Sequence, residues 1–383
     1  MRSLSIFGAT GSVGTSTLDL VRQDRSAWDV KVLTANCSAG ELARLAREFD
    51  AELAVVADES CLADLREALA GSGIESAGGA AALCDAARTT ADITVAAIVG
   101  CAGLEPVMAA IEQGNTIALA NKEALVSAGE VMTAAVAKYG ATLLPVDSEH
   151  NAIFQCLAGG KTEDVRWITL TASGGPLRTW SQAELEAATP AQAVAHPNWD
   201  MGAKISVDSA SMFNKGLELI EAHHLFPVGL DRLRIVVHPQ SVIHSMVEYR
   251  DGSTLAQLGP SDMKVPIASC LAWPDRMDTP CEPLDLPAIG SLTFEAPDET
   301  RFPATRLARH AAMAGGAAPA VLNAANEVAV AAFLAGKIAF TRIAVMVEQT
   351  LTDYTPAAPG SLADVMAVDA AAREKASAML ESA

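Results

Sequence analysis

The sequence predicts an α/β protein in three parts: an N-terminal parallel sheet clad in helices, a central α/β region and a C-terminal helical bundle. Three observations carry this. Residues 1–147 alternate near-continuous apolar runs with amphipathic stretches, the pattern of parallel strands buried on both faces. Residues 148–275 mix helical and strand-like runs and are dense in polar motifs. After a Pro-rich linker at 276–303, residues 304–383 are Ala-rich with a helical period.

Composition narrows the possible functions. A length of 383 residues suggests two or three domains. Half the residues are hydrophobic but only 4% aromatic, so the cores must be built from Ala, Val, Leu and Ile. A net charge of −19 argues against nucleic acid or an anionic membrane as the main partner. Any anionic ligand then needs a local pocket of Lys, His and amide donors. The seven cysteines show no C-x-x-C spacing and read as reduced thiols, neither a disulfide frame nor a zinc site. "MRSLSIFGATG" is already a strand entering a turn, without a targeting segment, and no apolar run reaches membrane-spanning length. A soluble, cytoplasmic protein is expected.

In order, "SLSIFG", "DVKVLTA", "AELAVVA", "ITVAAIVG", "NTIALA" and "ATLLPV" read as strands. "STLDLVRQ", "AGELARLAREF", "CLADLREALA" and "LEPVMAAIEQG" read as the helices between them. Between the first strand and first helix, Gly8, Gly11 and Gly14 form G-x-x-G-x-x-G. Glycines there permit a tight turn and the approach of a pyrophosphate to a helix N-terminus, so a Rossmann-like dinucleotide site is expected. The second strand ends "VLTANCSAG" with no Asp or Glu for a ribose diol. NADP is therefore favoured over NAD, with Asn36 and Ser38 as modest candidates for a 2′-phosphate contact. In "ALANKEALVSAG", Asn121, Lys122 and Glu123 form a turn that opens a helix, which a plain N-cap with a solvated lysine would equally explain.

"PVDSEHNAIFQ" sets Asp147 and Glu149 two positions apart. On an extended strand they would share a side, and their repulsion would call for a cation. Farther on, a helix expected from about residue 208 puts Phe213, Leu217 and Ile220 on an apolar stripe, with Asn214, Glu218 and Glu221 beside it. Asp147, Glu149 and one of the two helix glutamates would make a three-carboxylate site suited to Mg²⁺ or Mn²⁺. "TASGGPLR" offers Ser173 and glycine amides that could cup a phosphate. His196 and Trp199 lie in "HPNWDMG", a Pro- and Gly-bounded loop suited to a lid. His238 and His244 fit no metal spacing and read as structural, and His223-His224 as a helix end where imidazolium suits the dipole.

"GATGSVG", "ANKEALVSAG", "PVDSEHNAIFQ", "TASGGP", "HPNWDMGAKISVDSASMFNKGLELIEA", "HPQSVIHSMVEY" and "LNAANEVAVAAFL" occur in the order seen in 1-deoxy-D-xylulose 5-phosphate reductoisomerases. The chain resembles that family from about residue 4 to about 350. The resemblance implies an NADPH-dependent, divalent-metal (Mg²⁺, Mn²⁺ or Co²⁺) enzyme of the non-mevalonate isoprenoid pathway. It would turn a phosphorylated sugar, deoxyxylulose phosphate, into 2-C-methyl-D-erythritol 4-phosphate. It implies Asp147, Glu149 and Glu218 as metal ligands, deciding against Glu221, and Ser173, Ser209, Asn214 and Lys215 as the phosphate site. Ser148, Lys122 and His196 would meet the substrate's polar backbone, with Trp199 and Met201 on a flap at about 196–206. Gly8, Thr10, Gly11, Ser12 and Val13 would form the NADPH loop, with further cofactor contacts at Asn36, Asn121, Glu123, Gly202 and Met263. The central region, 148–275, would be the catalytic domain, and the assembly a V-shaped homodimer. Many relatives carry a basic residue after Asn36 where this chain has Cys37 and Ser38, so the 2′-phosphate contact departs from the common pattern.

Overall fold

A computed structural model describes residues 1–199 and 201–381. The chain divides into two compact units. The first comprises residues 1–124, 132–151 and 263–281. Its sheet has seven strands: β1 (Arg2–Phe7), β2 (Trp28–Ala35), β3 (Leu53–Val56), β4 (Glu75–Gly78), β5 (Ile93–Ala96), β6 (Thr116–Leu119) and β7 (Thr142–Pro145). All pairings are parallel, in the order β4-β3-β2-β1-β5-β6-β7. The winding reverses at β1, which pairs with both β2 and β5, and a crevice opens at the carboxyl ends of strands where winding reverses. Leu4, Ile6, Val32, Leu33, Ile93 and Val95 are fully buried, as a sheet covered on both faces requires.

Residues 263–281 return to this first unit. Their helix, Lys264–Ala272, packs against β6, β7 and the helix Ser12–Gln23. Arg2 Nη1 donates to Leu271 O at 2.7 Å, and Asn151 Nδ2 donates to Pro145 O at 2.9 Å.

The second unit comprises residues 125–131, 152–262 and 282–383. Its mixed sheet has four strands: β8 (Val165–Ala172), β9 (Leu233–Val237), β10 (Ile243–Tyr249) and β11 (Thr254–Leu258). Their order is β11-β10-β8-β9, with β8 and β9 parallel and the β10–β11 hairpin antiparallel. The helix Phe213–Leu225 buries Phe213, Leu217 and Ile220 in the same core as Ile168 and Leu170. That core continues into the helices Ala304–Ala314, Ala318–Leu334, Arg342–Asp353 and Leu362–Glu381. A glycine facing an alanine makes close helix approach possible there: a Cβ on Gly216 would lie 2.8 Å from Ala308 Cβ. The Pro-rich stretch carries a four-residue helix, Leu286–Ile289, and a single bridge from Glu295 to Val237.

All seven cysteines are free thiols. Among the described residues, no helix is long and apolar enough to cross a membrane.

Candidate active site

In the first unit, β1 ends at Phe7 and the next helix starts at Ser12, with Gly11 as its N-cap and no side chain filling the cap. A Cβ on Gly14 would sit 2.3 Å from Gly8 O and 2.6 Å from Ala9 Cα, so only glycine lets the first helical turn close on the loop. Gly8 N donates to Thr34 Oγ1 at 2.9 Å and Ala9 N to Thr34 O at 2.7 Å, pinning the loop to β2. The amides of Ser12 and Val13 lie in the first helical turn, where the backbone supplies no acceptor and the dipole favours an anion. This cradle fits a pyrophosphate.

Asn36, Cys37 and Ser38 are exposed just past β2, at the same carboxyl edge of the sheet. Asn121, past β6, is buried: its Oδ1 accepts from Ala124 N at 3.0 Å and its Nδ2 donates to Gly100 O at 2.8 Å. Glu123 is buried two residues on, and Met263 is half-buried before the Lys264–Ala272 helix. Gly202 belongs to the second unit, where it opens the helix Ala203–Ser211.

Asp147 is not a strand residue. β7 stops at Pro145 and a helix runs Ser148–Leu157. Asp147 Oδ1 accepts from the Glu149 and His150 amides at 3.1 and 3.3 Å, the role of an N-cap. The expected two-residue alternation of a strand is thus replaced by the first turn of a helix. Asp-Ser-Glu after proline is a helix-start sequence, and the positive end of the helix suits both acids. Asp147 Oδ2 lies 2.8 Å from Lys122 Nζ, and Asp147 Oδ1 lies 3.2 Å from Nδ1 of the fully buried His150. Ser148 Oγ donates to Glu149 Oε2 at 2.5 Å. Lysine and helix amides therefore already offset part of the acidic charge, and the hard oxygens suit a cation such as Mg²⁺.

In the second unit, the helix expected from residue 208 is two helices, Ala203–Ser211 and Phe213–Leu225, broken at Met212 with φ +67°. Ser209 lies on the first. Asn214, Lys215 and Glu218 lie on the second, where Glu218 is fully buried and paired with Lys215, while Asn214 Nδ2 donates to Glu218 Oε1 at 2.5 Å. The Ser173 loop is pressed onto the first helix: Gly175 has φ +70°, and a Cβ there would meet Ala210 Cα and Ser209 O at 2.7 Å.

His196 links the loop at 196–199 to Ser173. Its Nδ1 accepts from the Asn198 and Trp199 amides at 3.2 and 3.0 Å. The ring proton therefore sits on Nε2, which donates to Ser173 Oγ at 2.9 Å. Burial lowers the His196 pKa, which keeps the ring neutral. Trp199 Nε1 donates to Ser241 Oγ at 3.1 Å, and its ring meets His244 edge-on at 6.0 Å. Met201 is half-buried. Position 200 of the expected flap lies outside the described residues.

Family models for 1-deoxy-D-xylulose 5-phosphate reductoisomerase match residues 4–129, and models for its C-terminal domain match residues 143–226 and 258–375. A curated 1-deoxy-D-xylulose 5-phosphate reductoisomerase from Zymomonas mobilis is 58% identical over 381 residues, covering 100% of this chain and 98% of that protein. The chain belongs to the 1-deoxy-D-xylulose 5-phosphate reductoisomerase family. A reductoisomerase from Rhodospirillum centenum is 55% identical, covering 99% of this chain and 94% of its own. The solved Zymomonas mobilis reductoisomerase in complex with NADPH superposes with a TM-score of 0.95 at 57% identity, covering 99% of this chain and 98% of that one. A second reductoisomerase, in complex with NADPH, fosmidomycin and magnesium, has a TM-score of 0.93 at 42% identity, covering 100% and 98%. The chain is an NADPH- and metal-dependent oxidoreductase of this family.

One histidine, His150, escaped the sequence reading of the site. His150 packs on Asp147, and the helical i, i+3 spacing of the two would have revealed it had the segment been read as a helix start. His244 is buried and holds Gly259 O at 3.2 Å, as a structural residue does, yet it also carries Trp199. His238 is structural, bonded through Nδ1 to Thr293 O at 2.9 Å. The helix-end imidazolium expected at His223-His224 does not hold for His224. Burial, with His223 alongside, pushes its pKa down to about 4, so the ring is neutral.

Proposed function

We propose that this reductoisomerase binds one divalent cation through Asp147, Glu149 and Glu218 and rearranges, then reduces, 1-deoxy-D-xylulose 5-phosphate to 2-C-methyl-D-erythritol 4-phosphate. The observation that carries this reading is the Asp147 cluster, a carboxylate flanked by Lys122 and His150 with Ser148 and Glu149 in the next turn. When bound, the cation supplies Lewis-acid polarisation of the ketone and acidifies the neighbouring hydroxyl. Lys122 orients Asp147 and can donate to a substrate oxygen, as can Ser148. Ser173, Ser209, Asn214 and Lys215 offer hydroxyl, amide and ammonium donors to the phosphate. His196, neutral and proton-bearing on Nε2, fixes the Ser173 hydroxyl, and Trp199 covers the substrate to exclude water. The glycine loop with Thr10, Ser12 and Val13 holds the NADPH pyrophosphate, and Asn36 and Ser38 serve its 2′-phosphate. Asn121, Glu123, Gly202 and Met263 complete the nucleotide contacts.

Mn²⁺ or Co²⁺ would serve as well as Mg²⁺, since all accept carboxylate oxygens. Family membership and the reduced thiols support a cytoplasmic homodimer acting on a small phosphorylated sugar, with neither nucleic acid nor membrane as partner. The deciding experiment follows NADPH absorbance with purified protein. Oxidation that needs both deoxyxylulose phosphate and a divalent cation supports the reading, and its absence with folded protein and fresh substrate refutes it.

A further inference from the structure

The motif Leu322-Asn323-Ala324-Ala325-Asn326-Glu327 lies on the helix Ala318–Leu334, and none of it belongs to the site described above. Most of its buried face is apolar, with Val321, Leu322, Ala325, Ala329 and Val330 inaccessible, and Asn323 and Asn326 are the two buried amides in it. Asn326 is equally inaccessible, and a buried amide is costly unless it meets a partner. Its partner is a carboxylate: Nδ2 donates to Asp208 Oδ1 at 2.8 Å. Asp208 is itself only 1% exposed, and its Oδ2 lies 2.9 Å from Lys204 Nζ one turn earlier. The amide must present its nitrogen, because a carboxylate only accepts.

Asp208 immediately precedes Ser209, and Lys204 stands two residues after Gly202. The Asn326–Asp208–Lys204 chain therefore grips the one helix that starts at the end of the 196–202 loop and carries Ser209. Neighbouring side chains on a helix project about 100° apart, so fixing Asp208 fixes where Ser209 points. Gly175 holds the opposite side of this turn through its close approach to Ser209 O and Ala210 Cα. We propose that Asn326 is a positioning residue: by holding Asp208 it sets the rotation of the Ala203–Ser211 helix and with it the placement of Ser209 against the substrate phosphate. This rests on the reading that Ser209 belongs to the phosphate site.

The test uses the full-length enzyme with NADPH and Mg²⁺, comparing wild type, Asn326→Leu, Asp208→Asn and the swap Asp208→Asn/Asn326→Asp. Loss of a hydrogen bond to a buried charge predicts that Asn326→Leu raises both KM for deoxyxylulose phosphate and the inhibition constant of inorganic phosphate about tenfold. NADPH affinity stays at the wild-type value. The swap, which restores an amide facing a carboxylate, brings KM back to within about threefold of wild type. Asp208→Asn keeps the size of the side chain and serves if Asn326→Leu does not fold, with KM again raised. A lower melting temperature with KM and phosphate inhibition unchanged overturns the inference, because the pair would then only stabilise the fold. An inactive wild type would instead refute the proposed function, so the two failures are distinguishable.

Discussion

His196 donates from Nε2 to Ser173 Oγ across 2.9 Å while its other ring nitrogen accepts two backbone amides. A proton on Nδ1 would face those two donors and open the loop at Trp199. Burial already lowers the His196 pKa from 6.5, so the neutral ring persists into mildly acid solution. The acid limb of kcat/KM assigned to this group is expected below pH 6.5, and a limb at or above that value would contradict the assignment. His196→Ala should lower kcat/KM by about tenfold to a hundredfold, the cost of losing one or two such hydrogen bonds.

Asp147→Asn tests the acidic cluster without unfolding it. Asparagine caps a helix as well as aspartate does, so the amides of Glu149 and His150 keep an acceptor. Metal-dependent turnover should fall by about a thousandfold if the carboxylate is a ligand, while NADPH binding, measured by fluorescence titration, stays near wild type. Turnover that survived with its metal dependence intact would remove Asp147 from the site.

Gly175→Ala should damage both stability and phosphate binding. Its φ of +70° disfavours any side chain, and the new methyl would lie 2.7 Å from Ser209 O and Ala210 Cα. Strain of this kind costs about 1–3 kcal/mol, readable as a lower melting temperature. The displaced Ser209 should also raise KM for the phosphorylated substrate.

His224 makes stability depend on pH. Its folded pKa of about 4 lies below the ordinary 6.5, so the unfolded chain takes up the proton first as pH falls. Stability is whole above pH 6.5, declines between 6.5 and about 4, and levels off below. The full loss from this group is about 3 kcal/mol. Urea midpoints measured across this range should fall more steeply for wild type than for His224→Gln. Equal slopes would mean that the ring is not buried as described.

The glycine loop was legible because glycine at 8, 11 and 14 leaves few other meanings between a strand and a helix. Strand β4 was not: "ESAG" has four residues, no apolar run, and only β3 as a neighbour. The Ser209 and Lys215 neighbourhoods were legible as chemistry but not as geometry. Met212 breaks their helix at a left-handed conformation that methionine rarely adopts, and no sequence signal marks it. Asp147 was misread for the opposite reason. Its cap signal was present, but the extended reading ran on past Pro145 through Glu149, over the first turn of the helix. His150 and Asn326 matter through what they touch, and contacts made over sequence distance, such as Asn326 to Asp208, leave no local pattern.

The helix Lys264–Ala272 gives the first unit an order of assembly. Strands β6 and β7 leave the ribosome more than a hundred residues before the helix that covers them. At about 5–20 residues per second the nascent sheet waits on the order of ten seconds with apolar surface bare. The part encoded first is therefore among the last to close, and a chain cut after residue 151 should expose that surface and aggregate. Chaperone demand during synthesis would fall on this interval.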